Sequence, residues 1–253
     1  MSTTCRIHGA SMRAIGAKSY CPACAAAVTA PLLSAYEENR AHLAQSELEA
    51  RILVSGIPDI FAGASFDTFE ADSPRAAQVV QALKNYSAHF AVQRARRSGF
   101  VLTGPTGVGK THLACAMLNE VMAQGFSGRY VSLPRLTFEV RRTYKSQDSQ
   151  DTVSNLIADL VSCDLLVLDE IDLHGYSDSD YQMLYEIINR RYEAGGKPTV
   201  ALSNLSASDL TADLHERVMS RILCGTSPIA CNWGDRRSSR RKTKESTSST
   251  CKA

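Results

Sequence analysis

Short apolar runs alternate with longer helical stretches after residue 99. The runs FVLT, YVSL, DLLVLD and TVALS lie at residues 100–103, 130–133, 164–169 and 199–203, and stretches with helical spacing separate them. This strand–helix alternation is typical of a mostly parallel sheet with helices on both faces. The pattern therefore predicts an α/β fold.

Helices and loops are predicted outside these runs as well. Residues 25–54 are rich in Ala, Leu and Glu, which predicts a helix that is broken or begun at Pro31. A break at 55–58 ends this helix, and a further helical pattern covers about 74–97. The polar run KSQDSQDT, residues 145–152, predicts an exposed loop.

The composition is in the range of globular proteins. Of the 253 residues, 44% are hydrophobic and 21% are charged, which excludes collagen-like and wholly disordered chains. No apolar stretch approaches the length of about 18 residues that a membrane span needs, and the first residues lack the apolar segment of a secretory signal. We therefore predict a cytoplasmic protein without a membrane span.

The net charge of +2 is unevenly distributed. Residues 235–253 contain seven Lys or Arg and two Asp or Glu, so this segment is +5 and the remainder is −3. The tail has no apolar periodicity, which predicts disorder. Because the body is not basic, a nucleic-acid function has to be argued from motifs.

Three of the eight cysteines and one histidine form two chelating pairs. Cys5-x2-His8 is followed, twelve residues later, by Cys21-x2-Cys24. This spacing is typical of a structural zinc site, in which four protein ligands complete the tetrahedron. The alternative is that the four are unrelated surface residues. The other cysteines are scattered singly and are interpreted as inert thiols.

A phosphate-binding loop follows the first predicted strand. The sequence GPTGVGKT matches G-x-x-x-x-G-K-[ST], with a strand before it and a helical stretch after it. Lys110 is expected to contact the β- and γ-phosphates of ATP, and the Thr111 hydroxyl to coordinate Mg²⁺. The alternative, a chance glycine turn, does not account for this context. The predicted ATP-binding residues are Gly104, Pro105, Thr106, Gly107, Val108, Gly109, Lys110 and Thr111.

Two acids end the third apolar run, and an amide follows the fourth. Asp169 is predicted to act on Mg²⁺, and Glu170 to polarise the water that attacks the γ-phosphate. The alternative is an acid pair that caps the next helix. Asn204 can bond the γ-phosphate or the attacking water, although Asn after a strand is ordinarily a turn residue.

Two arginines four residues apart lie on one face of a predicted helix. Arg217 and Arg221 belong to the helical pattern of residues 213–221. An arginine at a subunit interface can neutralise charge on a neighbour's transferring phosphate. The alternative is a solvated basic face.

The order of these motifs resembles one family. GPTGVGKT, LLVLDE, LSN and HERVMSRI, preceded by ENRAHLAQSELEARILVSGIP and followed by CNWGDRR, resemble the DnaC-type helicase loaders, AAA+ ATPases close to the transposition helper IstB, over residues 38–240. The resemblance implies an ATPase that self-associates, binds the replicative DNA helicase through its N-terminal part and engages single-stranded DNA. ATP hydrolysis would help to place the helicase.

The resemblance also implies residue roles. Arg221 resembles the arginine finger, Asn204 sensor 1, and Arg237 the sensor 2 residue, with Arg236 as an equally basic neighbour. Single-stranded DNA contacts are implied at Tyr144, Ser179 and Tyr181, and Arg141, Arg142 and Lys145 are basic neighbours of Tyr144. Tyr181 could equally be a core aromatic residue.

The predicted organisation has four parts. They are a zinc-binding knuckle (1–24), a helicase-binding helical arm and linker (25–70), an AAA+ P-loop ATPase domain (71–234) and a basic tail (235–253). The knuckle and the long segment 172–179 depart from the loader pattern. The rival functions are an IstB-type transposition helper that acts on duplex DNA with a transposase, and an adaptor with a vestigial ATPase. The long N-terminal arm argues against the first rival, and the intact P-loop and acids argue against the second.

Overall fold

A computed structural model describes residues 4–16, 18–144, 149–172, 176–223 and 226–234. The chain divides into two compact units, Met1–Ala50 and Arg51–Ala253. The described helices are α1 (Pro22–Ser55), α2 (Pro74–Ala88), α3 (Phe90–Ala95), α4 (Lys110–Ala123), α5 (Leu133–Tyr144), α6 (Ser149–Ser162), α7 (Asp178–Glu193) and α8 (Ala207–Leu223). The described strands are β1 (Arg13–Ile15), β2 (Lys18–Tyr20), β3 (Phe100–Thr103), β4 (Gly128–Ser132), β5 (Leu165–Asp169), β6 (Thr199–Ser203) and β7 (Ile229–Ala230).

The first unit is a β-hairpin followed by most of helix α1. Strands β1 and β2 pair antiparallel. The prediction that the helix breaks or begins at Pro31 is wrong, because α1 begins at Pro22 and continues through Pro31. Pro22 lies in the first helical turn, where proline is well tolerated. Pro31 lacks the N–H that would bond the carbonyl oxygen of Ala27, but Ala27 is exposed to solvent and the stretch is rich in helix-forming residues.

The second unit contains a five-stranded parallel sheet of order β4-β5-β6-β3-β7. All four predicted strands are confirmed, and β3 and β6 have the predicted bounds. Strand β4 begins two residues earlier than predicted and ends before Leu133, which starts α5. The sequence did not predict β7, since two residues carry no recognisable pattern.

Helices cover both faces of this sheet, as predicted. Strands β3, β5 and β6 are buried along their whole length. Alternate side chains, among them Val101, Leu166 and Ala201, form one core with helices α5 to α8. Helix α4 packs against β4, β5 and β6, and α2 packs on α4. No helix within the described ranges has the length and hydropathy needed to span a bilayer.

Two predicted segments differ from the structure. The helical pattern 74–97 forms two helices, α2 and α3, separated at His89. Residues 149–152 of the predicted loop belong to α6, because Val153, Ile157 and Leu160 give this helix an apolar face directed at the core. Residues 145–148 and the basic tail from 235 onward lie outside the described residues.

Candidate functional site

The loop between β3 and α4 adopts a conformation that requires glycine. Gly104 has a φ of +141°, and a Cβ atom there would lie 2.2 Å from the carbonyl oxygen of Cys231. Gly109, at the start of α4, has a φ of +95°. The loop therefore presents main-chain N–H groups at the N-terminus of α4, which is the arrangement that favours phosphate binding.

Lys110 is held inside this loop. Its side chain is 7% exposed, and Nζ donates hydrogen bonds to the carbonyl oxygens of Gly104 (2.6 Å) and Pro105 (3.0 Å) and to Oδ1 of Asn204 (3.0 Å). The structure thus brings the loop lysine and the amide at the end of β6 together. An ammonium group bonded by three neutral oxygens is well placed to exchange them for phosphate oxygens.

Asp169, at the end of β5, lies beside Thr111. Its Oδ2 atom accepts hydrogen bonds from the hydroxyl groups of Thr111 (2.8 Å) and Tyr130 (2.8 Å), and its Oδ1 atom accepts from the main-chain N–H of Glu170 (2.8 Å). A carboxylate next to a hydroxyl fits the oxygen ligands that Mg²⁺ prefers. The sequence missed Tyr130, whose contact depends on the pairing of β4 with β5.

Glu170 has an unusual backbone conformation. Its φ of +54° lies in the left-handed region, and its side chain is exposed on the same cavity as Asp169. Partial burial raises the pKa of Glu170, and the nearby carboxylates of Asp169 and Asp172 raise it further. The end of β5 thus directs the carboxylate of Asp169 at the Thr111 hydroxyl and leaves the side chain of Glu170 exposed in the cavity.

Asp172 is a further site residue that the sequence did not identify. Its carboxylate accepts hydrogen bonds from the main-chain N–H (3.1 Å) and side-chain amide (3.3 Å) of Asn204 and from the Ser203 hydroxyl. These bonds orient Asn204, so that its Oδ1 atom faces Lys110 and Thr106. The only sequence signal was a third acid shortly after the Asp169–Glu170 pair.

Residues of the loop and of the strand ends line one cavity of about 510 Å³. Its polar side is formed by the loop, the two acids and Asn204, and its apolar side by Ile60, Phe61 and Phe69. His112 contacts the rings of Phe61 and Phe69, with centroid separations of 6.3 and 5.7 Å. A polar pocket for phosphates that adjoins an aromatic pocket has the chemistry to hold a nucleotide.

Trp233 ties the C-terminal end of the described chain to the loop. Its indole N–H donates a 2.8 Å hydrogen bond to the carbonyl oxygen of Val108, and its ring contacts Phe69. Arg236 and Arg237, the sensor 2 candidates, lie outside the described residues.

Arg221 is not among the described residues that line the nucleotide cavity. Its guanidinium lies over the rings of Tyr185 and Tyr192, at 5.2 and 5.7 Å, and borders a second cavity of about 380 Å³ with Arg217 and Ser220. The two arginines therefore share a face, as predicted.

The residues predicted to contact single-stranded DNA lie on neighbouring elements. Ser179 is exposed in the first turn of α7, and Tyr181 is half-buried and stacks on Tyr185. Arg141 forms an ion pair with the buried Asp180, which ties α5 to the start of α7. Tyr144 ends α5 and its side chain is not among those described, while Lys145 lies outside the described residues.

The four predicted zinc ligands lie together in the first unit. The donor atoms of Cys5, His8, Cys21 and Cys24 all lie within 4.8 Å of one another. The sulfur atoms of Cys5 and Cys24 are 3.7 Å apart, and Nδ1 of His8 is 3.3 Å from the Cys24 sulfur. Ligands at tetrahedral zinc are about 3.5–3.8 Å apart, so this donor set is compatible with zinc. Main-chain N–H groups of His8 and Ile7 lower the pKa of Cys5 to about 6.

The parallel sheet, the phosphate-binding loop and the acids at the end of β5 define a P-loop ATPase domain of the AAA+ class. The family described as IstB-like ATP binding protein matches residues 32–225. The chain belongs to this family, whose AAA+ members are ATPases.

Relatives and solved structures agree with this assignment. The replicative helicase loader DnaC of Buchnera aphidicola subsp. Acyrthosiphon pisum (strain APS) is 32% identical over 173 residues, which cover 68% of each chain. The insertion sequence IS1162 putative ATP-binding protein of Pseudomonas fluorescens is 34% identical over 117 residues, 46% of this chain and 48% of that one. A crystal structure of the DnaC helicase loader superposes with a TM-score of 0.59 at 23% identity, covering 68% of this chain and 99% of that one, and has the same fold.

Proposed function

We propose that the protein is an ATP-dependent loader that binds the replicative DNA helicase and single-stranded DNA in the cytoplasm. ATP hydrolysis would place the helicase at sites of DNA replication. The observation that carries this proposal is the complete nucleotide cavity, in which Lys110, Thr111 and Asp169 meet Glu170 and Asn204. The similarity to DnaC loaders over two thirds of the chain supports the helicase as partner.

Each residue of the cavity has its own role in ATP hydrolysis. Bound ATP and Mg²⁺ supply the reactive phosphate and the charge that neutralises it. Lys110, which lies inside the loop, would hold the phosphates, while the neighbouring Thr111 and Asp169 would hold the metal ion. Glu170 would orient the attacking water and accept its proton, and the side chain of Asn204 would hydrogen-bond the γ-phosphate or the attacking water.

Two further elements complete this mechanism. Arg221 acts on the γ-phosphate of a neighbouring subunit, for which its place outside its own cavity is the supporting observation. Arg237, or its neighbour Arg236, contacts the nucleotide as sensor 2.

Tyr144, Ser179 and Tyr181 hold single-stranded DNA by stacking and hydrogen bonding.

Helix α1 is the element that we assign to helicase binding. Val28, Leu32, Tyr36 and Leu43 lie along one side of the helix and are 65%, 66%, 65% and 56% exposed. An apolar stripe of this kind is suited to pack against another protein. In the predicted arm 25–70, the part near Phe61 and Phe69 contributes to the nucleotide cavity, so we place the helicase contact in α1.

Capture of the replicative helicase from the same genome tests this function. We expect the protein to retain the purified helicase, and retention to differ with and without ATP. Leu32→Glu should weaken capture at least about tenfold, because it places a charge in the apolar stripe. Ala41→Glu, which adds the same charge on the opposite side of α1, should not. Failure of the unaltered protein to capture the helicase in either state would overturn the proposal.

An IstB-type helper of transposition is the second candidate. The similarity to the IS1162 protein favours it, although that similarity covers less than half of the chain. The two functions differ in the DNA that they engage. ATP hydrolysis stimulated by duplex DNA and indifferent to the helicase would favour the transposition helper.

We also propose that Cys5, His8, Cys21 and Cys24 hold one structural Zn²⁺. A knuckle of 24 residues is too small to fold on an apolar core alone, so the metal supplies its stability. Metal analysis should find one zinc per chain, and Cys21→Ser should lose the zinc and expose residues 1–24 to proteolysis. Cys251→Ser, which removes a thiol from the tail, should leave the zinc in place. Well below one zinc per chain, with no effect of Cys21→Ser, would contradict this site.

A further inference from the structure

The knuckle has a chemical character that the family assignment does not cover. The family match begins at residue 32, after the knuckle. Residues 1–24 contain Arg6, Arg13 and Lys18 and no Asp or Glu. A zinc ion bound to three thiolates carries one net negative charge, which still leaves the segment positive. Residues 25–50, in contrast, contain four glutamates and one arginine.

The hairpin gathers two of these cations and an aromatic ring on one face. Arg13 lies opposite Tyr20, and Ile15 lies opposite Lys18. Opposed residues of an antiparallel pair share a face, and every second residue of a strand returns to it. These four side chains therefore point to the same side, whereas Ala14 and Ser19 point to the other. Arg13 and Lys18 are exposed, Ile15 is 71% exposed and Tyr20 is half-buried.

We propose that this hairpin face, Arg13, Ile15, Lys18 and Tyr20, binds the backbone and bases of single-stranded DNA without reading sequence. Exposed cations beside an aromatic ring are the combination that holds unstacked bases and their phosphates. The absence of carboxylates from residues 1–24 gives the face charge complementarity to a polyanion. The knuckle would thus be a second DNA contact, separate from the ATPase domain. The proposal relies on the zinc site to fold the knuckle.

The test measures binding of the full-length, zinc-loaded protein to a fluorescent oligo-dT strand over a range of salt concentrations. Each phosphate contact on a single strand contributes about 0.7 to the slope of log affinity against log salt. Arg13→Ser and Lys18→Ser should therefore each flatten the slope by about 0.7. Arg40→Ser is the matched control, because it removes one exposed arginine from helix α1.

The aromatic ring of Tyr20 allows a second, independent test. Tyr20→Ser should weaken binding by about fivefold or more, and Tyr20→Phe, which keeps the ring, should not. An unchanged slope and affinity in Arg13→Ser and Lys18→Ser would overturn the proposal. Loss of helicase capture in these variants, with DNA binding unchanged, would also overturn the proposal, because the face would then be a contact for a protein. Zinc content, measured on each variant, separates these results from failure of the zinc site itself.

Discussion

Glu170→Gln is expected to lower the rate of ATP hydrolysis by about a hundredfold to ten-thousandfold while leaving ATP binding intact. The amide cannot accept a proton from the attacking water, and general-base catalysis contributes about that factor. Glu170 is exposed in the cavity and its main-chain N–H bonds Oδ1 of Asp169, a bond that the substitution keeps, so we expect the phosphate site to be unchanged. Steady-state hydrolysis and equilibrium binding of a fluorescent ATP analogue measure the two effects separately.

Lys110→Ala is the variant against which this result is read. It removes the buried ammonium group that bonds Gly104, Pro105 and Asn204, and it should weaken ATP binding itself by about a hundredfold. The two variants should therefore differ in ATP binding, whereas both should have lost most of their ATP hydrolysis. A Glu170→Gln protein that hydrolyses ATP within about tenfold of the unaltered rate would remove Glu170 from the role of general base.

The sequence predicted the central strands well because their environment leaves a strong pattern. Strands β3, β5 and β6 are buried on both faces and appear as unbroken apolar runs. The hairpin strands β1 and β2 have three residues each, of which three and two are exposed, and β7 has only two residues, one half-buried and one exposed. Elements this short are defined by their pairing partners, which a pattern along one chain does not contain.

The residues of the candidate site likewise divide into those that the sequence identified and those that it missed. Asp169 ends a buried strand, and Asn204 and the loop that leads to Lys110 follow two others, so parallel pairing alone brings the three to one edge of the sheet. Tyr130 and Asp172 were missed because their roles depend on contacts across strands. The aromatic side of the cavity, Phe61 and Phe69 with His112, joins residues about fifty positions apart, and no local motif marks it.

Arg221→Ala is expected to abolish most ATP hydrolysis without affecting ATP binding. Arginine fingers contribute about a thousandfold to a hundred-thousandfold to phosphoryl transfer, and Arg221 lies away from its own cavity, on Tyr185 and Tyr192. If it completes a neighbour's site, the defect belongs to the interface between two subunits. An Arg221→Ala subunit would then retain a functional P-loop that lacks only its neighbour's arginine.

Mixing two inactive variants separates this role from a structural one. A Lys110→Ala subunit binds ATP too weakly to hydrolyse it but still presents Arg221, so it should restore hydrolysis at the P-loops of Arg221→Ala subunits. The doubly substituted Lys110→Ala, Arg221→Ala protein offers no arginine and should restore none. Hydrolysis is measured across mixing ratios with single-stranded DNA and helicase present, so that subunits assemble. If co-assembled mixtures recover no activity, Arg221 does not act between subunits, and its stacking on Tyr185 and Tyr192 is a feature of a solvated helix face alone.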